Sequence, residues 1–178
     1  MIASVRALFV GRFQPFHYGH LRAVAIILQE VEELIIVVGS AQMSHEADNP
    51  FTAGERLEMI RGALDEAGID NRKYMLIPIP DAPAHRVWVS QVESQTPSFD
   101  VVYTNQSLTR RLLIEAGYEV RSIKLHMREI FEATEIRRRI LECEDWRDLA
   151  PQTVYDYVKK IKGDERIRDL SKTDSVNH

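Results

Sequence analysis

Short apolar runs alternate with longer amphipathic segments along most of this chain, and this alternation limits the possible folds more than any other feature. The runs are near-continuous rather than apolar at every second position, as expected for strands that are covered on both faces. They are VRALFV (5–10), ELIIVVG (33–39), YMLIPI (74–79), FDVVYT (99–104) and the weaker YEVRSI (118–123). Strands that alternate with helices are joined by right-handed crossovers, so the pattern predicts an α/β fold with a doubly wound parallel sheet.

The amphipathic segments predict helices at about 18–30, 52–67, 85–95 and 107–116. The second has the clearest limits, because Thr52 stands three residues before Glu55, the spacing of a capping box, and Gly68 suits the position after its last turn. After the last strand, 134–142 and 152–162 are typical of helices with no strand between them. We therefore expect one domain over 1–178 with a helical C-terminal cap and a partly disordered tail from about residue 163.

Composition excludes several classes of function. The chain has 178 residues, of which 44% are hydrophobic and 28% charged, and its formal net charge is −4. A large nucleic-acid footprint normally shows as a basic excess, so we expect no nucleic-acid partner. No apolar run approaches ~20 residues, so we expect no membrane span. Cys143 is the single cysteine and cannot form an internal disulfide, which favours a reducing, cytoplasmic compartment.

The segment GRFQPFHYGH (11–20) follows the first predicted strand, where ligands bind in such sheets. Gly11 allows a ligand to approach the backbone closely or permits a positive φ, and Arg12 provides a permanent cation. His17 and His20 are three residues apart at a helix start, so their side chains share a face. Free N–H groups and the positive dipole end of the helix would add to them, and the segment predicts a phosphate-binding site.

A second polar segment, FEATEIRRRI (131–140), follows the last predicted strand. Thr134 is a suitable N-cap, and Glu135 and Arg139 have the spacing of a helical ion pair. The segment is either a solvated basic helix start or a phosphate site in which the planar fork of Arg137 grips an anion. Its place after the last strand allows it to face the histidine segment across a cleft.

Other signatures are missing or ambiguous. Two histidines occur in zinc sites, but no third ligand stands at a suitable spacing, and such a pair can also be a surface or capping detail. GxGxxG does not follow the first strand and GxxxxGK[ST] is absent from the sequence, which disfavours a dinucleotide-redox protein and a P-loop NTPase. His85 is expected to be a surface or packing residue.

Several segments together resemble the HxGH nucleotidyltransferases and, more narrowly, the archaeal-type nicotinamide mononucleotide (NMN) adenylyltransferases. These segments are GRFQPFHYGH (11–20), GSAQMSHEADNPFTAGERLEMI (39–60), IPIPDAPAHRVWV (77–89), VVYTNQ (101–106) and TEIRRRI (134–140). The resemblance extends from near the N-terminus to about residue 162. It departs at Glu132-Ala133, where the family usually has Ser-Ser or Ser-Gly, so a phosphate contact from a hydroxyl at position 132 is not expected.

The resemblance implies a Rossmann-like nucleotidyltransferase fold and a reaction in which ATP and NMN give NAD and pyrophosphate. The attack would be direct and in line, without a covalent intermediate. By analogy with the family, the catalytic residues are His17, His20, Arg12 and Arg137, the ATP- and phosphate-binding residues are Val10, Gly11, Gly19, Phe131 and Thr134, and the nicotinamide-side residues are Asp81, Trp88 and Asn105. Mg²⁺ or another divalent cation is expected to bind through substrate phosphates, with no metal site of the protein's own, and we expect a homo-oligomer.

Several alternatives stay open at this point. HxGH also serves phosphopantetheine adenylyltransferases and glycerol-phosphate cytidylyltransferases, and nicotinate mononucleotide is an alternative acceptor. The chain could be a module that binds ATP or NAD without turnover, and an RNA-binding domain related to class I aminoacyl-tRNA synthetases is disfavoured by the acidic charge. Trp88 could be a core residue of its helix, and Asp81 a turn residue.

Overall fold

The chain forms a parallel β-sheet with helices on both faces. The structure is a computed structural model that describes residues 5–124 and 132–174. The strands are β1 (Arg6–Gly11), β2 (Glu33–Val38), β3 (Tyr74–Pro78), β4 (Val101–Tyr103) and β5 (Glu119–Arg121). The helices are α1 (Tyr18–Glu30), α2 (Ala53–Glu66), α3 (His85–Gln95), α4 (Ser107–Glu115), α5 (Ala133–Leu141), α6 (Gln152–Lys160) and α7 (Gly163–Asp174).

The strand order is β3-β2-β1-β4-β5, and every neighbouring pair is parallel. The doubly wound parallel sheet that the sequence predicts is therefore confirmed. The chain winds outward in one direction from β1 to β3 and in the other from β4 to β5. The order reverses between β1 and β4, and ligands of such sheets bind in the crevice at this point, beyond the carboxyl ends of the strands.

Two hydrophobic clusters enclose the sheet, one on each face. Alternate side chains of β1 enter opposite clusters, so Phe9 packs among α1, α2 and the C-terminal helices, while Leu8 packs against α3 and α4. All of β2 from Leu34 to Val38 is buried. Burial on both faces explains why these strands are near-continuous apolar runs rather than alternating ones.

Helix α2 begins and ends where its sequence signals predict. The Thr52 hydroxyl accepts from the Glu55 N–H at 3.2 Å, and the Glu55 carboxylate accepts from the Thr52 N–H at 2.9 Å. Gly68 follows the helix with a φ of 70°, the left-handed conformation that a glycine adopts without strain. These caps fix both ends of the helix that lies behind the loop after β2.

The predicted helical cap is present as α5 and α6, but the tail differs from its prediction. From residue 163, where we expected partial disorder, the chain is helical as far as Asp174. Ile167 of α7 is buried, and Arg166 donates to both carboxylate oxygens of Glu55, at 2.7 and 2.8 Å. These tertiary contacts hold a segment that is too polar to be recognised from its own periodicity. Residues 175–178 lie outside the described ranges.

None of the helices in these described ranges combines the length and apolar character needed to cross a membrane.

Candidate active site

A cavity of about 610 Å³ lies at the carboxyl ends of the central strands. Its wall includes residues that follow β1, β2, β3 and β4, together with the first turn of α5. The predicted site residues that line it are Val10, Gly11, Arg12, His17, Gly19, His20, Asp81, Trp88, Asn105, Thr134 and Arg137. Phe131 lies outside the described residues. The fold thus brings together segments that are far apart in the chain.

The two histidines of GRFQPFHYGH cap helix α1 with each other. His17 is the N-cap residue, and its Nδ1 accepts from the His20 N–H at 3.3 Å, while Nδ1 of His20 accepts from the His17 N–H at 3.3 Å. The rings stack with their centroids 3.6 Å apart. A neutral imidazole that accepts at Nδ1 carries its proton on Nε2, so each ring presents Nε2–H as its remaining polar group. Two donors therefore stand side by side in the cavity wall.

Burial keeps both rings neutral. It lowers the pKa of His17 to about 3, and it lowers the pKa of His20 well below its ordinary value, with the positive charge of a protonated His17 as a second cause. At neutral pH the pair therefore provides hydrogen-bond donors rather than cations, and positive charge must come from the arginines nearby.

The predicted free amides at the start of α1 are largely taken. The His17 and His20 N–H groups are used by the reciprocal cap, and the Tyr18 N–H donates to the carbonyl of Leu149 at 3.1 Å. The expectation of several open backbone donors here is therefore wrong. The histidine side chains accept from these backbone N–H groups, and their own Nε2–H groups replace the backbone amides as donors to the cavity.

Gly11 is required by the packing of an aromatic ring. A Cβ at this position would lie 2.7 Å from the Phe13 ring, and the positive φ of the segment falls on Phe13, at 54°, rather than on Gly11. The Phe13 ring meets the His20 ring edge to face at a centroid distance of 4.7 Å. The glycine therefore lets Phe13 support the imidazole, and of the two expectations for Gly11 the positive φ is not found.

Arg137 is fixed in the cavity wall, whereas Arg138 and Arg139 pair with carboxylates outside it. Its side chain is 11% exposed, and it donates to the carbonyl of Gln14 at 2.9 Å and to Oδ1 of Asp48 at 3.3 Å. Burial is the main cause that lowers the pKa of Arg137; Asp48 opposes the shift and Arg12 adds to it. Arg139 pairs with Glu135 at 2.9 Å, which confirms the predicted helical ion pair.

Thr134 is not the N-cap of its helix. Helix α5 begins at Ala133, with Glu132 as N-cap, and the carbonyl of Glu132 accepts from the Ile136 N–H at 3.2 Å. This hydrogen bond spans the first helical turn, so Thr134 is already the second residue inside the helix. The Glu132 side chain makes no capping bond. The first turn, including Ala133 and Thr134, borders the cavity, and the first N–H groups of a helix have no acceptor within the helix itself.

Asp81 and Trp88 form part of the wall beyond β3. Oδ1 of Asp81 accepts from the Ser40 hydroxyl at 2.9 Å, and Oδ2 accepts from Nε2 of Gln42 at 3.0 Å. Asp81 is thus held by another loop and is more than a turn residue. Trp88 is half-buried, since it packs against the α3–α4 core and also borders the cavity. His85, which we expected to be a surface or packing residue, is exposed and also borders the cavity, one turn before Trp88.

Asn105 lies apart from that pair. It follows β4, whereas Asp81 follows β3, and β1 and β2 stand between these strands. Its carboxamide donates to the carbonyl of Ile123 at 2.8 Å and accepts from the Ile123 N–H at 2.9 Å. The side chain therefore joins the ends of β4 and β5, which gives it a structural task that the sequence does not reveal.

Within residues 5–124 and 132–174, no group of three or more His, Cys, Asp or Glu side chains is arranged to hold a metal ion.

Comparison with known proteins identifies the family. The cytidylyltransferase-like family matches residues 8–139. The nicotinamide-nucleotide adenylyltransferase of Pyrococcus horikoshii is 51% identical over 167 residues, which cover 94% of this chain and 89% of that protein. The enzyme of the same name from Archaeoglobus fulgidus is 50% identical over 174 residues, 96% of this chain and 99% of its own. The chain belongs to the archaeal-type nicotinamide-nucleotide adenylyltransferase family.

A solved structure supports the same fold for this family member. A bifunctional NMN adenylyltransferase/ADP ribose pyrophosphatase from Francisella tularensis, crystallised with AMP and a manganese ion, matches with a TM-score of 0.78 at 25% identity. The match covers 97% of this chain and 53% of that one, so the chain spans about half the length of the bifunctional protein. The resemblance drawn from the motifs is confirmed, as is the Rossmann-like fold.

Arg56 is the residue of this family member that sequence reasoning missed. It is fully buried, and its guanidinium donates to the carbonyls of Arg12 at 2.9 Å, Gly39 at 2.8 Å and Ser40 at 3.1 Å. It thus ties the loop after β1 to the loop after β2. Burial lowers the pKa of Arg56 to about 10, and the charge of Arg12 contributes. The only signal in the sequence was an arginine on the otherwise apolar side of α2.

Proposed function

We propose that this protein transfers the adenylyl group of ATP to NMN, giving NAD and pyrophosphate by direct in-line attack without a covalent intermediate. One observation supports the proposal: two neutral imidazole donors, two arginines, an indole ring and a carboxylate line the same cavity. The names of the relatives that are about 50% identical over almost the whole chain support the same substrates.

On the phosphate side, we assign the described residues to positioning the substrate phosphates and to stabilising the negative charge on them. The attacking 5′-phosphate is an anion at neutral pH and needs no general base. We assign the Nε2–H groups of His17 and His20 to oxygens around the α-phosphate, where charge develops during transfer. Arg12 and Arg137 would neutralise the outer phosphates. Because Nδ1 of each histidine is fixed by the backbone, the donors are oriented before the substrate arrives.

On the acceptor side, the chemistry suits a flat cationic ring. The nicotinamide ring of NMN carries a positive charge, and the face of the Trp88 indole attracts cations. The Asp81 carboxylate, held by Ser40 and Gln42, adds negative charge to the same wall. The adenine would lie near Val10 and Gly11, at the end of β1. Asn105 uses one N–H and one lone pair of its carboxamide on Ile123, so it would offer the substrate only the second of each.

We further propose that Mg²⁺ serves as the divalent cation. The described residues offer no carboxylate cluster, and Mg²⁺ commonly keeps several waters and binds through substrate phosphates, so the two fit together. When bound, the cation would reduce the negative charge of the triphosphate. The manganese ion in the Francisella tularensis structure supports a divalent cation in this family. Cytoplasmic location, homo-oligomeric assembly and the absence of a nucleic-acid partner stay predictions.

The test is a pyrophosphate-release assay with ATP and Mg²⁺, in parallel with NMN, nicotinate mononucleotide and phosphopantetheine. We expect release with NMN, and NAD as the second product. Pyrophosphate release with phosphopantetheine alone would refute NMN as the acceptor but would still support adenylyl transfer from ATP. ATP binding with no release for any acceptor would overturn the reaction itself and favour a module that binds nucleotides without turnover.

A further inference from the structure

Asp48 contacts Arg137, a residue of the cavity wall, although Asp48 is not among the predicted site residues. It lies between β2 and α2, and its carboxylate accepts from Nη2 of Arg137 at 3.3 Å. The two side chains differ sharply in freedom, because Arg137 is 11% exposed and Asp48 is 77% exposed. The arginine is part of the wall, whereas the carboxylate stands in solvent and reaches the arginine from outside.

The arginine is held in place without the help of Asp48. Its Nη1 donates to the carbonyl of Gln14 at 2.9 Å, and Gln14 is itself anchored by two bonds to the backbone of Phe51, at 2.9 and 3.1 Å. Within the described parts of the chain, the Asp48 side chain has no hydrogen-bond partner besides Arg137. Removing the carboxylate should therefore leave the arginine in position and change only its charge environment.

The contact places an anion where a phosphate oxygen would bind. Asp48 is a carboxylate counter-charge of Arg137. A phosphate that takes the same guanidinium edge must displace the carboxylate or lie beside it. Two like charges this close repel each other even in water, and more strongly where protein replaces water. Displacement is feasible because the carboxylate is exposed, but it subtracts from the binding free energy of the phosphate.

We propose that Asp48 is a resident counter-anion of Arg137 that competes with the triphosphate of ATP and with pyrophosphate, and so sets how tightly this site holds both. The proposal rests on the proposed function in one respect, namely that Arg137 binds a phosphate group. Asp48 thereby weakens binding of the substrate and favours departure of the product through the same contact.

The experiment measures the dissociation constants of ATP and of pyrophosphate, each alone with Mg²⁺, by calorimetry. Asp48→Asn should bind both more tightly by about two- to fivefold, the range that exposed ion pairs support. Asp65→Asn is the matched control, because Asp65 is also an exposed aspartate, paired with Arg61 on α2 at 3.9 Å, and lies outside the cavity. It removes the same net charge and should leave both constants unchanged.

A double-mutant cycle shows whether the effect passes through Arg137. In an Arg137→Gln background, Asp48→Asn should no longer tighten binding, since the shared partner is missing. Unchanged or weaker binding by Asp48→Asn overturns the proposal, and so does an equal gain in Asp65→Asn, which would indicate a general charge effect. Tighter binding in a protein that makes no NAD would overturn the proposed function alone. A wild-type protein that makes NAD, with no gain in Asp48→Asn, would overturn only this inference.

Discussion

Replacing Arg56 should reveal how far one buried cation holds the two site loops together. Arg56→Gln removes the guanidinium and its hydrogen bonds to four carbonyl groups, those of Arg12, Gly39, Ser40 and Thr52. The carbonyls of Ser40 and Thr52 each keep a backbone N–H donor, whereas those of Arg12 and Gly39 lose the side-chain donor that joins the two loops. Arg56→Lys keeps the charge, but a single ammonium cannot replace a planar fork that reaches both loops. The two substitutions therefore separate the charge from the geometry.

The magnitude follows from the contacts. The Arg56 guanidinium makes four hydrogen bonds, the fourth from Nε to the carbonyl of Thr52 at 3.2 Å. Hydrogen bonds from a charged donor contribute roughly 1.5–3 kcal/mol each, so the four together stabilise the fold by at least about 6 kcal/mol. Burial opposes this, because the pKa of Arg56 falls to about 10, which corresponds to a cost of about 3 kcal/mol. We expect Arg56→Gln to lower the free energy of unfolding by about 3–5 kcal/mol, which is the cost of breaking a buried charged network. Arg56→Lys should lose about half of that.

Urea unfolding followed by circular dichroism and tryptophan fluorescence measures the effect. Arg61→Gln is the matched control, since Arg61 is on the same helix, is 66% exposed and only approaches Asp65 at 3.9 Å. It should change stability by less than about 0.5 kcal/mol. Wild-type and variant m-values must agree for the midpoints to be compared. A loss below about 1 kcal/mol in Arg56→Gln, with an unchanged m-value, would refute the reasoning.

Three further predictions concern the cavity. His20→Ala should lower kcat about a hundredfold or more, with a much smaller effect on NMN binding, because its N–H acts on developing charge; a normal turnover rate would contradict this. Trp88→Ala should mainly raise the KM for NMN, and an unchanged KM would show that Trp88 serves only to pack the core. Burial holds the pKa of His17 near 3, whereas the unfolded chain binds that proton near pH 6.5. The unfolding free energy should therefore fall as pH drops below about 6.5, and His20, whose pKa is also lowered by burial, should add to this fall. His17→Asn keeps a capping oxygen and should reduce the slope of the unfolding free energy against pH above about pH 4.5, where most carboxylates stay ionised. An unchanged slope in chemical denaturation would show that His17 does not contribute.

The sheet can be predicted because its strands are buried on both faces. A short, continuous apolar run such as 33–39 is typical of a strand covered by helices on each side, and the capping pair Thr52 and Glu55 is a local signal that needs no tertiary partner. The position of helix α7 cannot be predicted, since it depends on the ion pair between Arg166 and the distant Glu55 and on the packing of Ile167 in the core. Local signals are sufficient where the chain contacts itself nearby, and insufficient where the partner is distant in the sequence.

The site is predictable as a set of residues and less so as an arrangement. The spacing of His17 and His20 indicates a shared face, but a mutual cap by two histidines does not follow the usual Ser/Thr–Glu pattern. The cap expected at Thr134 is found at Glu132, because helix boundaries depend on which carbonyl closes the first turn. Arg56 and Asn105 act on distant backbone atoms, and no sequence pattern records such partners.

The docking of α7 has a practical consequence for anyone who shortens or extends this chain. A chain cut at Lys162 would lose Arg166, leave the Glu55 carboxylate facing the gap and uncover the core surface beneath Ile167. Glu55 caps α2, the helix that carries Arg56, so this loss should also destabilise the loops of the cavity that Arg56 holds together. An affinity tag therefore belongs after residue 174, and the polar last helix should be treated as an integral part of the folded unit.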